Sequence, residues 1–335
     1  MENFTLIEYQ KERDFSQKMS VVFEFVRQNF KSLSRCLLFI AGPPVAIGAV
    51  FFNDFFNRIL GFSKASRGNA YGSGVENIED YFTSITFLLQ VVGILVFLWI
   101  GGVITIACVY GYMRLYREKG SNQIEVSEVW SYVRQNFGRY FGTVTSYFFL
   151  TMITFMILSI PLMLVMGVAA TISPFLTIFF VLGFYVGAGL LGMNLSMIFI
   201  IRAAEPVSFF DGLQRLVYLV KGKVWSTFGV GALNTLIQSV ISGVFLIPWY
   251  IILALSFLHE VDSAEFQEPS SVWNAVGSVF FILYFICNIM LYALPLLGLA
   301  FQYYNLVELK EARGLLNNLE TFGETSAPKQ TDEHY

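Results

Sequence analysis

The sequence predicts an all-α, polytopic membrane protein with six transmembrane helices, and three observations carry that prediction. Apolar residues make up 56% of the chain and charged residues only 13%, against roughly 45–50% and about 25% in soluble domains. Asp, Glu, Lys and Arg are absent from 36–53, 81–113, 140–201, 224–259 and 269–307, and a hydrocarbon core of about 30 Å needs roughly 20 apolar residues per helix. The basic residues are also segregated. Of 21 Lys and Arg, 18 lie in the N-terminal arm, the second and fourth connections and the C-terminal tail.

The elements follow in order. Residues 1–14 form a cytoplasmic arm, 15–304 a six-span membrane domain, and 305–335 a cytoplasmic helix and disordered tail. The spans lie near 36–53, 82–113, 141–166, 174–201, 225–258 and 273–304. The run 140–201 is too long for one helix at about 1.5 Å per residue. "GVAATISP" (Gly167 to Pro174) supplies its turn, small residues followed by a proline suited to a helix start. Pro161, Pro248 and Pro295 are expected to kink the third, fifth and sixth spans. The first outer connection, 54–80, is rich in Gly, Ser and Asn and reads as a flexible loop or lightly structured excursion.

A repeat runs through this plan. The pentapeptide "VRQNF" occurs at 26–30 and again at 133–137. Phe15, Met19, Val22, Phe23, Val26 and Phe30 recur at helical spacing, and Val126, Val129, Trp130, Val133 and Phe137 repeat the last five positions. "PVSFFDGLQRLVYLVKGKVW" (Pro206 to Trp225) is a third, looser copy. The chain thus reads as three pseudo-repeated units, each an interfacial amphipathic helix plus a transmembrane hairpin. VRQNF is expected to end an elbow, where the chain stops lying in the headgroup plane and enters the bilayer. Arg27 and Lys31, Arg134 and Arg139, and Lys221 and Lys223 then sit at lipid phosphates. Ordinary positive-inside anchoring explains the same residues without specific headgroup binding.

By the positive-inside rule both termini are cytoplasmic. The first 30 residues lack the basic-then-apolar pattern of a cleavable signal. The net charge of −3 hides the asymmetry and implies no nucleic-acid partner. Cys36, Cys108 and Cys287 all fall in spans, as small core residues rather than a disulfide framework.

Catalysis finds little to work with. An ionisable side chain in the bilayer is costly and usually functional, yet the spans hold no Asp, Glu, Lys or Arg. Paired aspartates, H-E-x-x-H and G-x-S-x-G are missing, and the two histidines, His259 and His334, are far apart. Neither catalytic residues nor a metal or cofactor is expected. Gln90, Asn194, Asn234, Gln238 and Asn288 are side-chain amides that fall within spans. Such amides commonly hydrogen-bond between helices; the sharper reading is an intramembrane polar cavity around Asn194, Asn234 and Gln238. Gly183 and Gly187 have the spacing of close helix packing, inside the monomer or between copies.

"PVSFFDGLQRLVYLVKGKVWSTFGV" resembles a stretch in bacterial multi-pass proteins similar to the membrane domain of glycerophosphodiester phosphodiesterases. There a Pro-x-Ser start, an amphipathic helix, a Lys-Gly pair and a Trp precede a span. "KERDFSQKMSVVFEFVRQNF" and "FQYYNLVELKEARGLL" resemble uncharacterised membrane proteins of the Bacteroidetes type. A phosphodiesterase needs a catalytic barrel of roughly 200 residues or more, which does not follow Tyr304 here. The resemblance therefore implies a membrane module lacking the enzyme. Together these readings point to a non-enzymatic scaffold or accessory subunit engaging membrane lipids, a protein partner or a second copy of itself. The alternative is a permease or lipid-handling protein.

Overall fold

The structure, a computed structural model, describes residues 5–65, 78–262, 271–312, 314 and 316. Six helices are long and apolar enough to cross a membrane: Phe15–Leu60, Ile85–Lys119, Val126–Ile172, Phe175–Ala204, Val224–Leu255 and Ala275–Glu311. No strand occurs among the described residues. The chain is an all-α polytopic membrane protein.

Neither copy of VRQNF ends a helix. α1 (Phe15–Cys36) passes through a π-helical turn, Leu37–Ala41, directly into α2 (Gly42–Ala65). The Gly42 N–H donates to the Leu37 carbonyl five residues back. Pro43 and Pro44 have no N–H to offer the preceding turn, and a widened π turn accommodates that loss. After α3 (Ile78–Phe82) and α4 (Ile85–Lys119), the second copy lies well inside α5, an unbroken helix over Val126–Ile172. Only the third copy is interrupted. α8 (Phe209–Val220) stops at Lys221, and Gly222 turns the chain with φ of +81° into α9 (Val224–Gly243). The elbow expected at all three copies is therefore present at one, because only there does a left-handed glycine follow the stripe.

Other joints match their residues. α5 runs to Ile172, and extended Ser173 with Pro174 at the first helical position starts α6 (Pro174–Ser196). α7 (Ile198–Ala204) follows after Met197. Pro161 is accommodated inside α5. Pro248 lies just after a 3-10 turn, Val244–Leu246, at the start of α10 (Ile247–Asp262), and Pro295 lies in the first turn of α12 (Ala293–Glu311), which follows α11 (Ser271–Leu291). Residues 54–65, expected in a loop, continue α2; 66–77, 317–335 and His334 lie outside the described residues.

The chain divides into two compact units. One comprises Val26–Phe149 and Ala232–Leu296. In it α2 packs along α4 and along α11. A Cβ on Gly48 would lie 2.7 Å from Leu98, on Gly93 2.8 Å from Phe51, and on Gly101 2.5 Å from Val45. Backbones this close leave no room for a side chain, which is how small residues drive helix association in lipid. On the opposite contact Phe52 stacks on Phe281 with centroids 5.8 Å apart, Phe56 meets Trp249 at 5.4 Å, and Asn53 donates to Ser278 Oγ at 2.9 Å.

The glycines singled out from sequence behave differently. A Cβ on Gly183 or Gly187 would meet nothing within 4 Å among the described residues, so neither is a close-packing point against them. Gly101→Ala is expected to destabilise the protein by about 1–3 kcal/mol through overpacking. Gly187→Ala should be neutral or stabilising by up to about 1 kcal/mol. Thermal unfolding of the two variants in detergent checks the contrast.

The other unit comprises Met1–Phe25, Leu150–Gly231 and Leu297–Tyr335. The N-terminal arm belongs to its core. Tyr9 is buried against Phe25, Phe301 and Tyr304, with centroids 6.4, 5.6 and 5.1 Å away. The Arg13 backbone N–H donates to Asn305 Oδ1 at 2.6 Å, and its guanidinium lies 5.8 Å from the Phe301 ring centroid. Gln302 donates to Thr227 Oγ1 at 3.1 Å in the buried interior. α7 and α8 pack tightly, with Gly212 facing Ile198.

Candidate functional site

The two pentapeptides do different work despite their identical residues. In the first copy Asn29 is fully buried and accepts a hydrogen bond from the Tyr112 hydroxyl at 2.9 Å. Gln28 Oε1 accepts from the Tyr116 hydroxyl at 3.3 Å, and the Gln28 carbonyl accepts from Asn122 Nδ2 at 3.3 Å. One turn on, Ser32 Oγ donates to the Ile124 carbonyl at 2.7 Å. In the second copy Asn136 donates to the Tyr132 carbonyl of its own helix at 2.9 Å, and Gln135 donates to Ser131 at 3.3 Å. The first copy is a clamp between α1 and the segment joining α4 to α5. The second is a surface of α5.

The clamp frames a cavity of about 720 Å³. Gln28, Lys31, Ser32 and Arg35 line it from one face of α1, as their three- and four-residue spacing requires. Lys119, the last residue of α4, and Asn122, in the connecting segment, line it from the other side. Lys119 pairs with Glu128 at 2.5 Å. Lys31 and Arg35 are exposed, and their charged heads make no ion pair among the described residues. Arg35 and Lys119 were absent from the sequence-based candidates. The pairing of "Lys119…Asn122" with α1 depends on tertiary contact, and nothing in local spacing announces it.

The remaining basic candidates stand apart. Arg27, Arg134, Lys221 and Lys223 are exposed, and Arg139 is half-buried. Large apolar side chains of the same helices are also exposed: Phe15, Phe23 and Phe30 on α1, Trp130 on α5, Phe210 and Val217 on α8, and Trp225 on α9. Met19 and Val22 of the first stripe are buried, as are Val129 and Val133 of the second. One stripe thus splits into a packed side and an exposed side.

A second polar cluster was not read from sequence at all. Arg215 on α8 donates to Glu205 Oε1 and Oε2 at 2.9 and 3.1 Å, and to Glu311 Oε2 at 2.9 Å. A further bond joins it to Glu311 Oε1. Tyr303 donates its hydroxyl to Glu205 Oε1 at 2.8 Å. Lys310 donates to the Tyr218 and Lys221 carbonyls, closing the open C-terminus of α8. All three charged side chains of the central triad are at most 19% exposed. Hydrogen bonding to Glu311 holds the Arg215 guanidinium above its ordinary pKa; partial burial opposes this and Glu205 adds to it. The arrangement is a bidentate fork matched on both sides, and every donor is engaged in holding helices. It is a clasp.

Four of the intramembrane amides, Gln90, Asn194, Asn234 and Gln238, are buried and Asn288 is half-buried, and they are dispersed in role. Asn194 donates to the Leu190 carbonyl of its own helix at 2.8 Å. Asn234 and Gln238, one turn apart on α9, are 0% and 5% exposed. Asn288 donates to Ser242 Oγ at 3.2 Å, and Gln90 accepts from the Tyr81 hydroxyl at 2.5 Å and donates to Asp54. Among the described residues no group of three or more His, Cys, Asp or Glu comes together around a point. The chain matches no known protein family, no curated protein and no solved structure.

Proposed function

We propose that this protein is a non-enzymatic integral membrane module, a scaffold or accessory subunit that engages lipids or a partner protein. It resides in a bacterial inner membrane with both termini cytoplasmic, as the distribution of Lys and Arg favours. One observation carries the reading. Arg27, Arg134, Lys221 and Lys223 are exposed without ion pairs among the described residues, on or beside helices whose aromatic side chains are exposed too. Arg215, by contrast, is committed to internal structure. Exposed cations beside exposed aromatics suit a headgroup region or a docked partner.

The test compares wild type with an Arg27→Glu/Arg134→Glu variant, both purified in mild detergent from the same membrane. Near an anionic surface each cation is worth about 1 kcal/mol. Wild type is expected to bring down a second polypeptide or an anionic-lipid shell that the variant loses. Retention of both by the variant sinks the proposal. The buried Asn234 and Gln238 favour the second reading, a permease or lipid-handling protein. In that case Asn234→Leu abolishes substrate movement while folded yield is unchanged.

A further inference from the structure

We propose that the cavity beside the first VRQNF is a binding site for a phosphate-bearing anion. This deepens the lipid part of the functional reading, on which it rests, by naming a site and a ligand chemistry.

The walls are prepared for an anion. Lys31 and Arg35 reach the cavity from successive turns of α1 with heads that make no ion pair among the described residues, and Lys119 adds a third cation. An Arg guanidinium with a nearby ammonium is a strong phosphate ligand set. Gln28, Ser32 and Asn122 add polar groups at the wall. Their positions are fixed by the hydrogen bonds from Asn122 to the Gln28 carbonyl and from Ser32 to the Ile124 carbonyl. Two acids belong to the same wall: Glu125 itself lines the cavity, and Glu128 sits beside it. Glu128 holds Lys119 and also accepts from the Glu125 N–H at 3.0 Å, while Glu125 accepts from Ser127 Oγ at 3.1 Å. With three cations against two acids the site remains net positive.

Position favours a lipid as the source of the phosphate. The charge-free run begins directly after Arg35, and Leu38 and Phe39, the next turn of helix, are exposed. A headgroup in the cavity would leave its acyl chains beside that apolar surface. The volume, about 720 Å³, also exceeds what inorganic phosphate alone fills. A free phosphate compound shares the chemistry and is the other source.

The experiment uses the full chain and a Lys31→Gln/Arg35→Gln variant, whose altered side chains are exposed and hold no internal bond. In bilayer nanodiscs of phosphatidylglycerol and phosphatidylcholine, native mass spectrometry reads which lipid stays bound. In a parallel arm, delipidated protein in detergent is titrated calorimetrically with inorganic phosphate. Selective retention of phosphatidylglycerol by wild type, at least tenfold weaker in the variant, establishes the lipid source. Phosphate binding in detergent, lost in the variant without lipid selectivity, establishes the free anion. Equal behaviour of the two proteins in both arms, or no binding by wild type in either, overturns the proposal. Because Arg27 and Arg134 lie outside the cavity and no partner is present, this test fails independently of partner engagement.

Discussion

Arg215→Ala is expected to be the most damaging single substitution outside the apolar core, destabilising the protein by about 3–5 kcal/mol. The reason is the arrangement around the guanidinium. Glu205 and Glu311 both face it, their side chains are 13% and 19% exposed, and removal of the cation leaves two carboxylates confronting each other. Breaking a largely buried ion network by deleting one partner costs far more than the network contributes net. Arg215→Lys keeps the charge but loses the fork that reaches both carboxylates, and should fall between alanine and wild type. A triple variant, Arg215→Met with Glu205→Gln and Glu311→Gln, should recover most of the loss, because no uncompensated charge is left. Apparent melting midpoints in detergent rank the four proteins. A loss below about 1 kcal/mol for Arg215→Ala would mark the clasp as a solvent-screened surface pair.

The second large effect separates two identical pentapeptides. Asn29→Leu should cost about 1–3 kcal/mol, since it removes the amide that accepts from the Tyr112 hydroxyl in a fully buried setting. Asn136→Leu, the same change in the same local sequence, should lie within about 0.5 kcal/mol of wild type, because Asn136 bonds only to its own helix at a partly exposed position. Equal effects at the two positions would mean that the contact of α1 with α4 at Tyr112 does not hold in the membrane.

That contrast marks how far the sequence was legible. The charge-free runs located every helix able to cross a membrane, because the bilayer makes one demand that each span satisfies locally: apolar side chains around a backbone bonded to itself. The helix joint at Ser173-Pro174 was legible because proline restricts the backbone there; the turn at Gly222, made by a glycine free to take a positive φ, was not read. The two VRQNF copies misled, since a stripe at helical spacing says where a helix is amphipathic and not where it stops. Glycine spacing alone did not show where helices approach closely: among the described residues nothing lies near Gly183 or Gly187, whereas α2 offers a partner surface to Gly93 and Gly101. Arg215, Glu205, Glu311, Arg35 and Lys119 were beyond reach of local pattern. Arg215 meets Glu311 across 96 residues of sequence, and Arg35 and Lys119 separately line one cavity from different helices.

The central claim is that this chain is a membrane module working through what it holds rather than through a reaction. Native mass spectrometry of the protein released gently from its own membrane tests it most directly. The expected spectrum contains a second polypeptide or a defined oligomer at fixed stoichiometry, with anionic lipid retained. A bare monomer carrying one tightly held non-lipid small molecule would contradict the account and move the assignment to a permease.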